Sequence, residues 1–381
     1  MFENFTNILY TIIDIFVIVL GIRMEDWMHN LDLNETDNYV LFGRNSVNEN
    51  GIALFWTGSG LEFNIKASSL YVHIDCGYDN LELMLDIIIE GERTQKIVLE
   101  KGLHRYQVFA GMNKEMPVKV RLVRDTQCMT DEKQHYLVIK KLEADGEFVQ
   151  KPEYDYHLEF IGDSLTSGEG CGLTKRLEWI PVVFDATENY AYKVAQILSA
   201  RYSVLSQSGW GLYASYDADT THNLPDFYDQ ICGTVNDATA INEFGAHEKW
   251  DFSNQELDFV VINLGTNDGS GMKAGKIGEK EFLAGFRKKA IGFLKTIRNH
   301  NRSCTILWVY GMLGTDMEGY IKEAIDAYKK ETGDSRVEYL RLAECKGEDL
   351  GVRYHPTPAA HEKAAKNIAE HIQSLQAFFL R

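Results

Sequence analysis

Two rhythms of apolar and polar positions divide the chain. Between residues 40 and 150, segments 61–67, 70–76, 81–90, 94–100, 104–110, 116–124 and 134–144 are rich in β-branched and aromatic residues. Several of them alternate apolar with polar positions, and turn signals such as Gly58-Ser59-Gly60, 77–80, 90–93 and 110–115 separate them. Short strands at this close spacing predict an antiparallel β-sandwich. From about residue 157 the rhythm changes. Segment 157–164 reads as a strand running into a turn, 188–202 as an amphipathic helix and 203–209 as a strand. Segment 257–268 is a long apolar strand, followed by a helix over 279–301, a strand over 305–312 and a helix over 317–332. A strand over 337–344 and a closing helix over 358–379 complete the series. Strands alternating with helices predict a parallel sheet covered on both faces. The fold class is therefore mixed α/β. An antiparallel β-sandwich at 24–150 precedes a parallel-sheet domain at 151–381, with an apolar extension at 1–23.

Length and charge agree with this division and narrow the partners. A chain of 381 residues is of two-domain size. Apolar residues make up 45% and charged ones 25%, an ordinary globular mixture. Lysine and arginine number 39 against 56 aspartates and glutamates, a net charge of −17 with no basic patch, which argues against nucleic acid. The six cysteines, at 76, 128, 171, 232, 304 and 345, form no C-x-x-C pair and no zinc-type spacing. They read as reduced thiols.

Residues 4–22 are the most apolar run of the chain, near the length of a membrane span, but Asp14 interrupts them. A charge at mid-span costs about 2.5–3.5 kcal/mol on insertion scales. No basic segment precedes the run and no small-residue cleavage site follows it. Three readings stand: an upstream extension with Met24 as the start, a weak anchor or uncleaved signal, and a packed helix. The expectation is a cytoplasmic protein, with membrane contact or export only if residues 4–22 act as an anchor.

Four short blocks carry the chemistry. Gly162-Asp163-Ser164 opens the turn after the first parallel strand, where the glycine permits a tight bend that presents Ser164 at the sheet edge. Ser208-Gly209-Trp210 follows the second strand, and Gly209 can offer an unobstructed N–H to an oxyanion. Gly265-Thr266-Asn267-Asp268 follows the third, with a side-chain amide donor at Asn267. Tyr354-His355-Pro356 lies just before the last helix; the proline favours an extended backbone at His355 and a helix start beyond it. Ligands bind beyond the carboxyl ends of the strands in open α/β sheets, which is where all four blocks fall. Each block alone reads equally well as a turn or a helix cap. Together they supply a nucleophile, oxyanion donors and a base. His361, inside the last helix, reads as structural, as does Asp163.

In these blocks the second domain resembles the SGNH (GDSL-type) hydrolases, a flavodoxin-like fold. With the preceding sandwich, the SGWGLY, LGTND and YHPTPAAHEKAA segments resemble carbohydrate esterase family 2, acetyl-xylan esterase-like enzymes that join a jelly-roll domain to an SGNH domain. The resemblance covers roughly residues 30–378. It implies Ser164 as nucleophile and His355 as general base. It also implies an oxyanion hole from the N–H groups of Ser164 and Gly209 and the side chain of Asn267. The implied substrate is an acetylated xylan- or mannan-type oligosaccharide, with no metal or organic cofactor. Trp210, Tyr213 and Trp179 are candidate sugar platforms by position, since aromatic faces suit pyranose rings; core packing is the other reading.

One departure from the family pattern stands out. Where SGNH hydrolases usually carry an aspartate, two or three residues before the histidine, this chain has Arg353 and Val352. The resemblance allows a Ser–His dyad whose imidazole is oriented by a backbone carbonyl. Other readings are an acid such as Asp349 completing a triad, or a site disabled by the missing acid. A cation at Arg353 would disfavour the protonated histidine, unless it points to solvent or grips substrate. Two further functions stay open: another SGNH esterase or thioesterase activity, and an inactive carbohydrate-binding protein.

Overall fold

The structure, a computed structural model, describes residues 28–172 and 179–379. The apolar run at 4–22 and Met24 lie outside the described residues. Among the described residues no helix is long and apolar enough to cross a membrane.

The N-terminal half is a sandwich of two antiparallel six-stranded sheets. One runs Asn45–Asn48, Gly51–Leu54, His135–Ala144, Ser69–Tyr78 and Gly102–Ala110, with His29–Leu31 also paired to His135–Ala144. The other runs Glu147–Phe148, Gly60–Lys66, Val118–Arg124, Met84–Ile89 and Glu92–Val98, with Tyr39–Phe42 also paired to Gly60–Lys66. Alternate residues such as Val72, Ile74 and Cys76 on one sheet and Leu61, Phe63 and Ile65 on the other close over a single apolar interior.

The second half holds a five-stranded parallel sheet in the order Ala200–Ser206, Tyr156–Gly162, Phe259–Asn263, Thr305–Tyr310, Val337–Arg341. Strands Phe259–Asn263 and Thr305–Tyr310 are buried along their whole length because both faces of the sheet are covered. Helices Glu279–His300 and Glu318–Thr332 cover one face. The first buries Phe282, Phe286, Ala290, Phe293, Leu294 and Ile297, spaced three and four apart. Helices Tyr190–Ile197 and Pro358–Phe379 cover the other. The expected helix over 188–202 stops at Ile197 because Ser199 turns left-handed, at φ 51°, and the chain enters a strand at Ala200.

The two halves share their packing. Phe55 and Trp56 of the sandwich join the core on one face of the parallel sheet, and Phe42 joins the other. Trp56 Nε1 donates to the Ile231 carbonyl at 2.7 Å. Arg44, fully buried, reaches Glu159 in the first parallel strand at 3.1 Å, and Tyr228 donates to the same carboxylate at 2.8 Å. A second polar contact gathers Asp86 and Asp125 of the sandwich and Asp185 of the parallel-sheet half, with oxygens within 4.8 Å of one another. Two cations lie among these three carboxyls. Lys96 stands 2.8 Å from Asp125 and 3.1 Å from Asp185, and Arg93 stands 2.6 Å from Asp185 and 3.5 Å from Asp86.

Candidate active site

The first strand of the parallel sheet ends at Gly162 and breaks at once into the four-residue helical turn Ser164–Ser167. A side chain at Gly162 would stand 2.0 Å from Thr166 Oγ1, so only glycine permits the bend. Asp163 caps the turn, its Oδ1 accepting the Leu165 N–H at 3.0 Å. Burial pushes the Asp163 carboxyl up to about 7. Ser164 is left at the mouth of the turn, 7% exposed.

His355 arrives from a compact loop before the last helix. Gly351 donates its N–H to the His355 carbonyl at 2.6 Å, and His355 donates to the Val352 carbonyl at 3.0 Å. Within the loop Arg353 and Tyr354 are both left-handed, at φ 54° and 60°. That conformation costs roughly 1–2 kcal/mol for each non-glycine residue. It turns the Arg353 carbonyl back onto its neighbour, 3.0 Å from His355 Nδ1. A carbonyl only accepts, so Nδ1 carries the proton and Nε2 offers its lone pair. Nε2 lies 2.8 Å from Ser164 Oγ. The serine hydroxyl therefore donates to the imidazole, the arrangement that activates a nucleophile. Asp349 takes no part in this contact; its carboxylate accepts Lys363 Nζ at 2.8 Å. Arg353 does not leave its cation beside the imidazole unanswered, because its Nε donates to Glu169 Oε1 at 2.6 Å.

The oxyanion side is built from two more strand ends. Gly209 adopts φ 81° and accepts the Tyr216 N–H at 3.0 Å. The N–H groups of Gly209 and Ser164 have no hydrogen-bond partner among the described residues. Asn267, in the first turn of helix Thr266–Ala274, donates from Nδ2 to the Trp210 carbonyl at 2.8 Å and reaches Asp163 Oδ2 at 3.3 Å. It thereby ties the oxyanion loop to the nucleophile turn. Asp268 beside it anchors the same loop by accepting the N–H groups of Leu212, Tyr213 and Ala214 at 2.7–3.1 Å. Burial pushes Asp268 up to about 6 against the pull of those three bonds.

The sandwich reaches into this machinery. Gln127, buried, accepts three hydrogen bonds at its side-chain oxygen. They come from Ser167 Oγ at 2.7 Å, Ser208 N–H at 3.0 Å and Ser208 Oγ at 3.1 Å. One sandwich side chain thus holds both the nucleophile turn and the residue before Gly209.

The three aromatic candidates lie in different surroundings. Trp210 is buried, stacked on His222 with ring centroids 4.9 Å apart and tilted against Phe227. Tyr213 is half-buried, edge-on to Phe282 at 5.1 Å. Trp179 is 46% exposed, its indole N–H donating to Glu82 of the sandwich at 2.5 Å. Two further exposed rings, Tyr354 at 84% and Tyr216 at 60%, flank His355 and Gly209 in the chain and against the backbone. Gln127, Glu169 and Tyr216 carry no signal in the sequence, and Tyr354 is visible there only as the neighbour of His355. His361 is buried, parallel to the Tyr190 ring, and accepts the Tyr190 N–H at 3.1 Å. Burial holds it down to about 3.

The model of the GDSL-like Lipase/Acylhydrolase family matches residues 160–363. The acetyl xylan esterase Est2A from the rumen bacterium Butyrivibrio proteoclasticus superposes with a TM-score of 0.87 at 33% identity, over 92% of this chain and 99% of that one. A family two carbohydrate esterase from Clostridium thermocellum, solved in complex with cellohexaose, shares the fold. Its TM-score is 0.76 at 22% identity, over 89% of this chain and 99% of that one. Among curated proteins, the acetylxylan esterase / glucomannan deacetylase of Cellvibrio japonicus is 22% identical over 344 residues, 88% of each chain. The cellulase/esterase CelE of Acetivibrio thermocellus is 24% identical over 347 residues, 85% of this chain. The chain spans only 38% of the length of CelE.

Proposed function

The chain belongs to the GDSL-like lipase/acylhydrolase family, carboxylic ester hydrolases, and from that premise we propose that it removes O-acetyl groups from acetylated xylan- or mannan-type oligosaccharides through an acetyl-enzyme. The observation that carries the reading is the 2.8 Å contact from Ser164 Oγ to His355 Nε2, with Nδ1 held on a carbonyl. Ser164 Oγ attacks the acetyl carbonyl as its proton passes to Nε2. The N–H groups of Ser164 and Gly209 receive the negative oxygen, and the Asn267 amide joins them by giving up its 3.3 Å contact with Asp163 Oδ2. Removing one such donor typically costs about 3–4 kcal/mol, a hundred- to a thousandfold in rate. The imidazolium then gives its proton to the departing sugar hydroxyl. Water, deprotonated by the same nitrogen, hydrolyses the acetyl-enzyme and restores Ser164.

The sugar side of the proposal rests on the names of the relatives and on exposed aromatic faces. Trp179 and Tyr354 present open rings of the kind that stack on pyranoses. Trp210 and Tyr213, more deeply packed, act from behind by shaping the oxyanion loop. The test is acetate release from acetylated xylo- and manno-oligosaccharides by wild type and Ser164→Ala. Release that vanishes in the variant supports the proposal. Glycan binding without release from any ester would make the chain a binding protein on a hydrolase scaffold.

A further inference from the structure

The site carries a carboxylate, placed where a Ser–His–Asp triad does not put one. Glu169 leaves the nucleophile turn directly, its N–H donating to the Ser164 carbonyl at 3.0 Å. Its side chain is 5% exposed. Oε1 accepts Arg353 Nε at 2.6 Å and Oε2 lies 3.8 Å from His355 Nε2. The next residue, Gly170, runs so close to the histidine loop that a side chain there would stand 2.5 Å from His355 Cβ. The carboxylate is therefore clamped between nucleophile and base by backbone packing.

Two consequences follow from elementary electrostatics. Arg353 and Tyr354 sit in left-handed backbone that would relax if nothing held it, and the ion pair to a buried carboxylate holds Arg353. The Arg353 carbonyl is the only hydrogen-bond partner of His355 Nδ1 among the described residues, so what fixes Arg353 fixes the imidazole. At the other ring nitrogen, Oε2 faces the atom that becomes positive during the reaction. The other titratable groups nearby are Asp163, on the nucleophile turn, and His361, on the last helix and kept neutral by burial.

We infer that Glu169 is the positioning acid of this site, holding the Arg353 carbonyl on Nδ1 while its charge faces Nε2. The inference rests on the Ser164–His355 reading above. It assigns the work of the missing triad aspartate to a residue on the nucleophile's own loop, acting through an arginine.

The experiment is steady-state hydrolysis of an aryl acetate across pH by the full chain, as wild type, Glu169→Gln, Arg353→Leu and the double variant, with a thermal melt of each. Glu169→Gln should lower kcat about 10–100-fold and leave KM within about threefold, since the loss lies in the reacting machinery and not in binding. Its acid limb of kcat/KM should move to lower pH, because a lost carboxylate disfavours the imidazolium. Arg353→Leu leaves the carboxylate unbalanced and should move the same limb to higher pH. The double variant should bring the limb back toward wild type. A purely structural pair would not shift the limb in opposite senses. A folded Glu169→Gln with kcat within about twofold and an unmoved limb overturns the inference. Should that variant fail to fold, an unmoved limb in Arg353→Leu overturns it equally. A wild type inert toward every ester takes down the Ser164–His355 reading and this inference together; an active wild type with indifferent variants takes down this inference alone.

Discussion

Gln127→Met tests whether the sandwich is part of the catalytic unit. Methionine keeps the length and bulk of glutamine and removes the oxygen that accepts Ser167 Oγ, Ser208 N–H and Ser208 Oγ. Ser167 loses little, because Ser206 Oγ already lies 2.8 Å away. The Ser208 hydroxyl is half-buried and can turn toward water. The Ser208 backbone N–H cannot turn, and losing one hydrogen bond at this half-buried residue costs about 0.5–1.5 kcal/mol. Stability should therefore fall by about 1 kcal/mol. The loop relieves that cost only by moving Ser208, which moves the N–H of Gly209 with it. Complete loss of an oxyanion donor is worth about a hundred- to a thousandfold, so partial misplacement should lower kcat about 10–100-fold. KM should stay within about threefold, because the donor acts on charge that develops in the transition state. Aryl acetate kinetics paired with urea melts read both effects. A variant destabilised as expected yet turning over within about twofold of wild type would refute the argument. The sandwich would then support the fold without setting the oxyanion loop.

Other outcomes follow from the charges. Asp86 is fully buried with no hydrogen bond on either oxygen, and burial with its neighbouring acids pushes it up to about 9. Its folded value lies above its unfolded one, so the stability it contributes is present below the unfolded value of 3.8 and is lost as pH rises toward 9. Asp86→Asn should therefore melt like wild type in acid and increasingly above it toward alkaline pH, by a few kcal/mol at neutrality at about 1.4 kcal/mol per pH unit. Parallel melting curves at all pH values would show that the three-carboxyl, two-cation contact is not strained. Asp349→Ala should leave kcat within about threefold, since Asp349 faces Lys363; a loss near 10⁴, the size seen on disabling a triad aspartate, would restore it to the reaction.

The parallel sheet was readable because its strands are rich in apolar residues and lead into turn-forming ones, Gly162, Gly209 and Gly265 among them. The four chemical blocks were readable for the same reason: strand ends in such a sheet converge on one edge. What the sequence did not reveal depends on conformation or on contact between the two halves. Nothing in Val352-Arg353-Tyr354 announces two successive left-handed residues, yet these bring the Arg353 carbonyl onto His355. Gln127 lies 37 positions before Ser164, in the other domain, and its role exists only once the halves pack. Glu169 stands between two glycines with no signal of its own, and its partner Arg353 lies 184 positions away in the sequence. Trp210 could be platform or core by sequence; its burial against His222 and Phe227 is a property of the long irregular segment after the second strand. The helix reading over 188–202 failed at its end because apolar periodicity continues smoothly into the strand, and only the backbone turn at Ser199 separates them.

The most direct measurement is mass spectrometry of the full chain quenched during turnover of an acetylated substrate. An acetyl group is expected on the peptide carrying Ser164, accumulating in wild type and absent from His355→Ala, where nothing accepts the serine proton. Acetyl found on another residue, or turnover persisting in Ser164→Ala, would contradict it.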